Sequence, residues 1–351
     1  MVKATKTLKI LLEGHGEYLG QKTDFKSGNE FFINDKDRVE KAVFYPKQVG
    51  EVVIGNGNLV STTALCTLLE NHVDVSIVGF CGQPIGFLKS LTDDSHVKTR
   101  ICQYEALKNE KGIYIAKQFI NAKIEGQNNV LKKFGLRSDT SIKLKIKSVE
   151  TENLDVLRKQ LLNIEGRFSQ FYFKQILQLF PEKIRPRHRI GFKAYDATNN
   201  LFNLAYEVLF WKCYRALVKS KVEPYLGFVH SLQFGKPSLV CDFQELYRPS
   251  VDVFVINFSK TLKVKDFEKS CSYENGKIPR LFLNHEQNVN FRNAIHNYFK
   301  SLIEIPRLKV GKRQEFETLI NEEALLFAKY LRHEKDSWIP RLHLEPTKHK
   351  D

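Results

Sequence analysis

The feature that most restricts the fold of this chain is an apolar stripe between Leu157 and Leu179. Steps of four and three residues along the stripe meet Leu161, Glu165, Phe168, Tyr172 and Ile176. This spacing predicts one long helix over Glu152–Phe180, with the stripe as its buried face. Glu165 is the exception, because it places a carboxylate in the middle of that face.

The carboxylate of Glu165 needs a partner. Burying an ionised carboxylate costs several kcal/mol unless a positive group pairs with it. An Arg or Lys side chain, a metal ion, or the water of a cleft bordered by the stripe would each meet that need. The first and the last are ordinary structural roles, so Glu165 alone leaves its function open.

The region before the stripe has the pattern of short strands. Runs rich in aliphatic, aromatic and β-branched residues, separated by Gly, Asn and Asp, predict strands at Thr7–Leu12, Lys41–Tyr45, Glu51–Ile54 and Val73–Val78. A helix over Thr62–Glu70 is predicted to begin at Ser61, whose hydroxyl suits an N-cap.

From about residue 99 onward, the pattern is helical. Besides the helix of the stripe, helices are predicted over Glu110–Phe134, Asn199–Ser220, Val289–Ile303 and Gln314–His333. Gly135–Val149 is rich in Lys, Ser and Thr, and we expect a mobile connection there. We therefore predict an α+β fold with a small N-terminal β-rich dimerisation domain (1–98), a larger helical catalytic domain (99–340) and a flexible tail (341–351).

The charge of the chain points to polyanions. Its 351 residues include 55 Lys and Arg against 40 Asp and Glu, a net charge of +15. Such an excess favours nucleic acid or an anionic membrane as a partner, although solubility alone is the plain alternative. The N-terminus lacks a secretory apolar core, and no apolar run reaches the ~20 residues that span a bilayer. We therefore expect a soluble, cytoplasmic protein with no membrane partner.

A second group of polar residues lies downstream of the stripe. Asp242 and Glu245 are three residues apart, so they share one face of a helix that Arg248 extends. The same pattern is typical of a capping box in a short helix ended by Pro249, or of a salt bridge. His230, by itself, is typical of a hydrogen-bonded core histidine.

Taken together with Glu165, these residues form a plausible ligand set. Carboxylates and one imidazole suit Mn²⁺ or Mg²⁺, and several negative charges in one site require a cation of this kind. A divalent ion polarises a phosphodiester and lowers the pKa of an attacking hydroxyl. The sequence has no G-x-x-x-x-G-K-[ST], G-x-S-x-G or HExxH motif. It therefore does not support a P-loop NTPase, a hydrolase with a nucleophile elbow or a zincin metalloprotease.

The order and spacing of four motifs extend this argument over about residues 117–249. The motifs are Ile164–Phe173 (IEGRFSQFYF), Asp196-x-x-Asn199 opening a helix that contains Tyr206, Pro224–His230 (PYLGFVH) and Ser238–Pro249 (SLVCDFQELYRP). In this combination the chain resembles the CRISPR-associated integrase family, the metal nucleases that insert new spacers into a CRISPR array. The strand–helix–strand pattern of the N-terminal region is compatible with that family's β domain.

The resemblance implies a set of catalytic residues. It assigns Glu165, His230 and Glu245 as ligands of Mg²⁺ or Mn²⁺, with Asp242 as a further catalytic acid in or next to the first shell. Glu245 stands where the family often has Asp, which lengthens the reach and keeps the carboxylate. The implied reaction is transesterification, in which the 3′-hydroxyl of a DNA fragment attacks a phosphodiester at the edge of a repeat. Water in its place would cut linear or branched double-stranded DNA.

The resemblance also implies partners. The expected assembly is a homodimer formed through the β domains, with two dimers bridged by the small companion adaptation protein. Two alternatives remain: a stand-alone DNA repair or transposon-associated nuclease, and a non-catalytic DNA-binding scaffold. The acid in the apolar stripe favours catalysis, because a scaffold gives no reason for it.

Basic residues directly after the stripe are candidates for holding DNA, which the carboxylates would repel. They are Lys183, Arg185, Arg187, His188, Arg189 and Lys193, and Arg248 joins them from the second group. A solvated basic loop is the alternative. We expect contacts to phosphate with little base readout, because such a protein must accept varied fragments.

Overall fold

The structure is a computed structural model that describes residues 8–12, 17–24, 28–79, 84–90, 96–191, 193–269, 280–304 and 313–343. The chain divides into two compact units, Met1–Val97 and Lys98–Asp351. The first unit is rich in strands and the second is mostly helical, which confirms the predicted α+β class. Dimerisation through the first unit stays a prediction.

The described residues of the first unit form two sheets. Its elements are β1 (Leu8–Leu12), β2 (Tyr18–Asp24), β3 (Gly28–Asn34), β4 (Glu40–Phe44), β5 (Val49–Gly55), β6 (Leu59–Val60), α1 (Thr62–Glu70), β7 (Asp74–Val78) and β8 (Pro84–Leu88). One sheet has the order β1-β5-β7-β8, with β8 antiparallel to β7, and the other has the order β4-β3-β2-β6. As predicted, α1 begins at Ser61, whose side chain accepts a hydrogen bond from the backbone N of Ala64.

Most of the helices that the structure describes lie in the second unit. They are α2 (His96–Ala106), α3 (Glu110–Lys133), α4 (Ile142–Lys147), α5 (Leu154–Ile176), α6 (Ala197–Lys219), α7 (Ser238–Gln244), α8 (Arg248–Ser259), α9 (His285–Lys300) and α10 (Phe316–Leu331). Two short antiparallel pairs accompany them, formed by β9 (Phe267–Lys269) with β10 (Leu281–Leu283) and β11 (Leu302–Glu304) with β12 (Arg313–Glu315).

The predicted stripe is the buried face of α5. Its apolar members Leu157, Leu161, Phe168, Tyr172 and Ile176 are buried. The helix begins after Asn153, whose side chain accepts hydrogen bonds from the backbone N of Asp155 and Val156. It ends at Ile176, where the chain continues into a 3-10 turn, and therefore stops short of the predicted Phe180.

Two predictions of mobile segments are wrong. The 135–149 segment contains α4, which buries Ile142 and Ile146 on one face, so its polar composition concealed a short amphipathic helix. The predicted tail from 341 begins too early, because Leu342 is buried and the ring of His343 stacks on Phe316. Residues 344–351 lie outside the described residues.

The interpretation of Asp242 and Glu245 as a capping box is also wrong. Asp242 lies in the last turn of α7, and Glu245 is the C-cap residue of that helix. Pro249 lies in the first turn of α8, where its missing N–H costs nothing, so it begins a helix and does not end one. Among the helices that the structure describes, none is both long and apolar enough for a membrane span.

Candidate active site

The predicted catalytic residues meet in one cavity of the second unit. The cavity has a volume of about 190 Å³ and lies among α3, α5, the segment before α7 and the junction of α7 with α8. Its lining includes Lys123, Glu165, His230, Asp242, Glu245 and Arg248. The structure therefore brings together side chains that are far apart in the sequence.

Lys123 of α3 is the partner of the unexpected acid. Its Nζ lies 2.5 Å from Oε1 of Glu165 and 2.7 Å from Oε2 of Glu245. The lysine side chain is 10% exposed, so the three charges are largely shielded from solvent. Two carboxylates from different helices thus converge on one cationic atom. The sequence pointed to this site through Glu165 and missed Lys123.

The ion pairs keep Lys123 and Glu245 charged. Burial by itself would lower the pKa of Lys123, but the carboxylates of Glu245 and Glu165 hold that pKa above its ordinary value. Burial would raise the pKa of Glu245, but Arg248 and Lys123 hold it below its usual range. The site is therefore a compensated cluster of charges inside the helical unit.

Each carboxylate has a second donor. The hydroxyl of Ser169, one turn further along α5, donates to Oε1 of Glu165 at 2.7 Å. The guanidinium of Arg248 donates to Oε1 of Glu245 at 2.5 Å. These bonds fix the direction in which both acids point.

Asp242 holds the histidine in place. It is fully buried, and it accepts hydrogen bonds from the backbone N of Phe228, Val229 and His230 at 2.6, 2.9 and 2.9 Å. A fourth contact, of 2.6 Å, joins its Oδ1 to Nδ1 of His230. This contact leaves Nε2 as the ring nitrogen available to a ligand, an arrangement typical of metal-binding histidines. Asp242 therefore acts as a positioning residue for His230.

The segment that carries His230 is held from two sides. Arg158 of α5, which the sequence did not single out, donates to the carbonyl oxygens of Gly227 and Phe228 at 2.7 and 2.9 Å. At Gly227, a Cβ would lie 2.8 Å from both the carbonyl oxygen of His230 and the Cβ of Ser238. Glycine is required there because the chain folds back so closely.

The residues fit a divalent ion, although they do not form a ready metal centre. Within the described parts of the chain, no three His, Cys, Asp or Glu side chains stand together as such a centre. Lys123 stands between two of the predicted ligands and acts as a stand-in cation. Since both carboxylates reach one positive atom within 2.7 Å, they lie close enough to share an ion.

A larger, basic cavity adjoins the first. Its volume is about 1250 Å³, and it shares Lys123, Glu165 and Arg248 with the smaller cavity. Further basic side chains in its lining are Lys174, Arg187, His188, Arg189 and Lys236. The lining also contains the acids Glu207 and Asp252, so basic side chains outnumber acidic ones. A buried acidic pair next to such a cavity suits a reaction on an anionic polymer.

Comparison with known proteins identifies the family. The model of the family described as CRISPR associated protein Cas1 matches residues 13–296. The chain belongs to the Cas1 family. The CRISPR-associated endonuclease Cas1 1 of Archaeoglobus fulgidus is 30% identical over 288 residues, which cover 75% of this chain and 81% of that protein. The resemblance inferred from the four motifs is thus confirmed.

Solved structures agree on the Cas1 fold. A partial Cas6-RT-Cas1–Cas2 complex gives a TM-score of 0.73 at 18% identity, covering 96% of this chain and 98% of the matched chain. A casposase bound to integration product gives a TM-score of 0.69 at 22% identity, covering 98% of this chain and all of that one. At these identities the likeness concerns the fold.

A buried tyrosine network supports the wall of the larger cavity in this Cas1 chain. The hydroxyls of Tyr172 and Tyr206 both donate to the buried carboxylate of Asp252. Burial raises the pKa of Asp252 to about 6. The guanidinium carbon of Arg248 lies 4.6 Å from the ring centroid of Tyr206, and that of Arg189 lies 5.5 Å from it. The network therefore orients the arginine that binds Glu245.

The predicted DNA-binding residues differ in their surroundings. Arg187 and His188 are exposed and line the larger cavity. Arg189 also lines it, but donates to the side-chain oxygens of Asn203 and Asn199 at 2.7 and 3.1 Å. Arg185 donates to the carbonyl oxygen of Phe180 at 2.9 Å.

Lys183 and Lys193 are exposed, and neither belongs to the described lining of the two cavities. Arg248 lines both cavities. Contact of any of the predicted residues with DNA stays a prediction.

Proposed function

We propose that this Cas1 chain is a metal-dependent DNA integrase and endonuclease that inserts spacer DNA into a CRISPR array. One observation carries the proposal: the carboxylates of Glu165 and Glu245 converge on a single cation, Lys123, which also lines the basic cavity. An ion pair alone is an ordinary structural role, but this one brings together acids from two helices in a cavity that His230 also lines. Membership of the Cas1 family supports the same activity.

The proposed cofactor is Mg²⁺ or Mn²⁺, held by Glu165, His230 and Glu245. When bound, such an ion polarises a phosphodiester and lowers the pKa of an attacking hydroxyl. It would also take over the charge compensation that Lys123 supplies to the two acids. Asp242 keeps the His230 ring in one orientation, so that ligand formation needs little reordering.

The protein's own cations would bind and orient the DNA. The 3′-oxygen of the incoming strand forms a bond to phosphorus while the bond from phosphorus to the 3′-oxygen of the target strand breaks. The attacking hydroxyl loses a proton and the departing oxygen gains one. Lys123 and Arg248 lie beside the acids, where their charges offset the negative charge that develops on the phosphate oxygens. Arg187 and His188, further out, would hold the strand. Water in place of the hydroxyl gives strand cleavage.

The proposed partners follow from the same relatives. Structures similar in fold include Cas1–Cas2 complexes and a casposase bound to integration product. We therefore propose that this chain binds double-stranded and branched DNA and acts with a small companion protein of the Cas2 kind. A homodimer formed through the β-rich unit completes the proposal.

The central experiment is a joining assay with the full chain. The purified protein, the companion protein and a short duplex with a free 3′-hydroxyl are incubated with a repeat-containing plasmid and Mn²⁺ or Mg²⁺. We expect Glu165→Gln to abolish joining while DNA affinity stays within about twofold, because the change keeps the side-chain shape. Glu125→Gln is the matched control, since Glu125 is an acid of α3 paired with Lys143 at 2.7 Å, outside the linings of both cavities as described.

Undiminished joining by Glu165→Gln would overturn the catalytic proposal and favour a DNA-binding scaffold. A second plasmid without the repeat addresses the choice of target. Equal joining to both plasmids would favour a transposon-associated integrase over one dedicated to a CRISPR array.

A further inference from the structure

The segment directly after His230 forms a tight turn, of which Lys236 lines the larger cavity. Gln233 and Lys236 form an antiparallel bridge, and the backbone N of Lys236 donates to the carbonyl oxygen of Gln233 at 3.1 Å. Gly235 has a φ of +71°, in the left-handed region that glycine adopts without strain. Phe234 and Gly235 are therefore the tip of the turn, which we call the 231–237 turn.

The tip presents an aromatic ring to solvent. Phe234 is 109% exposed, slightly more than in an extended reference peptide, and Leu232 is 62% exposed. Single exposed apolar residues are common on protein surfaces. A fully exposed phenylalanine four residues from His230 is a different matter, because Lys236 of the same turn lines the larger cavity in which the proposed function places the DNA.

The turn is anchored at both ends to the scaffold of the site. The hydroxyl of Ser238 donates to the carbonyl oxygen of Ser231 at 2.8 Å. On the other side, Asp242 holds both the backbone N and the ring of His230. The backbone of the turn is therefore tied at both ends to the segment that positions His230.

The surroundings of the turn indicate the chemistry of its partner. Lys236, in the same turn, lines the 1250 Å³ cavity together with Arg187 and Arg248. A partner that satisfies this surface has an anionic backbone and a planar apolar face within a few ångströms of each other. A nucleotide has both. A protein partner would need a contact area of about 800 Å² on each side, which two exposed apolar side chains do not supply.

We propose that Phe234 stacks on an unpaired nucleobase of the DNA at the site, while Lys236 contacts the adjoining phosphate. Stacking on an aromatic side chain tolerates any base, because every base has a π-face. The turn would then hold the last unpaired base of an incoming strand without reading its identity. This inference rests on the proposed function, since DNA is the ligand in both.

The test measures equilibrium binding in EDTA, so that it does not depend on catalysis. The full chain is titrated with a duplex that carries an unpaired 3′ end, with 2-aminopurine as the terminal base, and with the blunt duplex of the same length. We expect Phe234→Ala to weaken binding of the unpaired end by about 5- to 150-fold, the range for loss of one stacked base. It should leave the blunt duplex within about twofold and remove the fluorescence change of 2-aminopurine.

Two further variants sharpen the test. Phe234→Trp keeps a stacking surface and should retain affinity and fluorescence change. Leu144→Ala removes another exposed apolar side chain and should change neither. Leu144 is 68% exposed on α4, none of whose residues is in the described lining of either cavity, whereas Lys236 of the 231–237 turn lines the larger one.

An equal loss of affinity for both duplexes, or an unchanged fluorescence response in Phe234→Ala, would overturn the proposal. A change in oligomeric state caused by Phe234→Ala would overturn it in favour of a protein contact. If the wild-type protein shows the Phe234-dependent response but joins no DNA, the stacking surface stands and the integrase proposal fails.

Discussion

Nζ of Lys123 lies 2.5 Å from Oε1 of Glu165, and the same ammonium lies 2.7 Å from Oε2 of Glu245. One lysine therefore compensates both carboxylates that we propose as metal ligands. Removing one partner from a buried ionic cluster costs about 3–5 kcal/mol, because the remaining charges lose their compensation. A divalent ion meeting these acids must take over from the lysine.

Replacing Lys123 with Met should therefore lower the stability of the metal-free protein and increase the stabilisation that metal provides. In EDTA, we expect Lys123→Met to lower the free energy of unfolding by about 3–5 kcal/mol. Mn²⁺ should then raise the Tm of the variant by more than it raises the Tm of the wild type, because the ion neutralises uncompensated acids. Thermal unfolding with and without Mn²⁺, together with calorimetric Mn²⁺ titration, measures both effects.

The control for this prediction is Lys143→Met. Lys143 pairs with Glu125 at 2.7 Å, the distance of the Lys123–Glu245 pair. The side chains of Lys143 and Glu125 are, however, 41% and 35% exposed. An exposed pair of this kind contributes about 0–1 kcal/mol. Weaker Mn²⁺ binding by Lys123→Met than by the wild type would contradict the stand-in role and show that the lysine supports the metal.

The sequence predicted one half of this pair and not the other. Glu165 was detectable because the apolar period of α5 is a local property of the chain. Lys123 lies 42 positions earlier, so no local pattern joins the two residues. A similar signal exists in α3, where Lys123 and Gln127 are buried together with Phe119 and Ile120. A buried lysine on an apolar helix face needs a partner, just as the buried glutamate of α5 does.

Other features depend on contacts that no local pattern records. The pairing of β2 with β3 escaped prediction because half of β2, from Gln21 to Asp24, is polar and lacks the alternation of a half-buried strand. The role of Asp242 was equally hidden. It depends on three backbone N–H groups that a folded segment aims at one carboxylate. Spacing alone suggested a helix cap or a salt bridge.

Replacing Asp242 with Asn tests its positioning role. The amide would turn an NH₂ group toward donors that now meet a carboxylate oxygen, so we expect a loss of about 1–3 kcal/mol in unfolding free energy. Joining should fall by about 10- to 100-fold, the range for partners of metal-binding histidines, while duplex affinity changes little. In the background of His230→Ala, Asp242→Asn should lower joining no further. An additional loss in the double variant would contradict action through His230.

Arg187 and Lys183 form a matched pair for the electrostatics of DNA binding. Both are exposed, but Arg187 lines the 1250 Å³ cavity and Lys183 is absent from its described lining. We expect Arg187→Ala to reduce the slope of log affinity against log salt by about 0.9, the value for one phosphate contact with duplex DNA. Lys183→Ala should leave that slope unchanged. Fluorescence anisotropy over a salt series measures both, and equal slopes for the two variants would contradict the assignment.

His343 should make the stability of the helical unit sensitive to acid. Burial lowers the pKa of His343 from 6.5 to about 4, with a smaller contribution from Lys133, and its ring stacks on Phe316 at 4.5 Å. Between these two pKa values the unfolded chain binds a proton that the folded chain excludes, so stability falls as the pH drops through that window. His343→Phe keeps an aromatic ring on Phe316 and cannot titrate. Urea unfolding at about pH 7, above this window, and at about pH 4.5, near its lower end, should therefore show a smaller loss for the variant, by up to about 3 kcal/mol. Parallel losses in the two proteins would show that the histidine is protonated in the folded state.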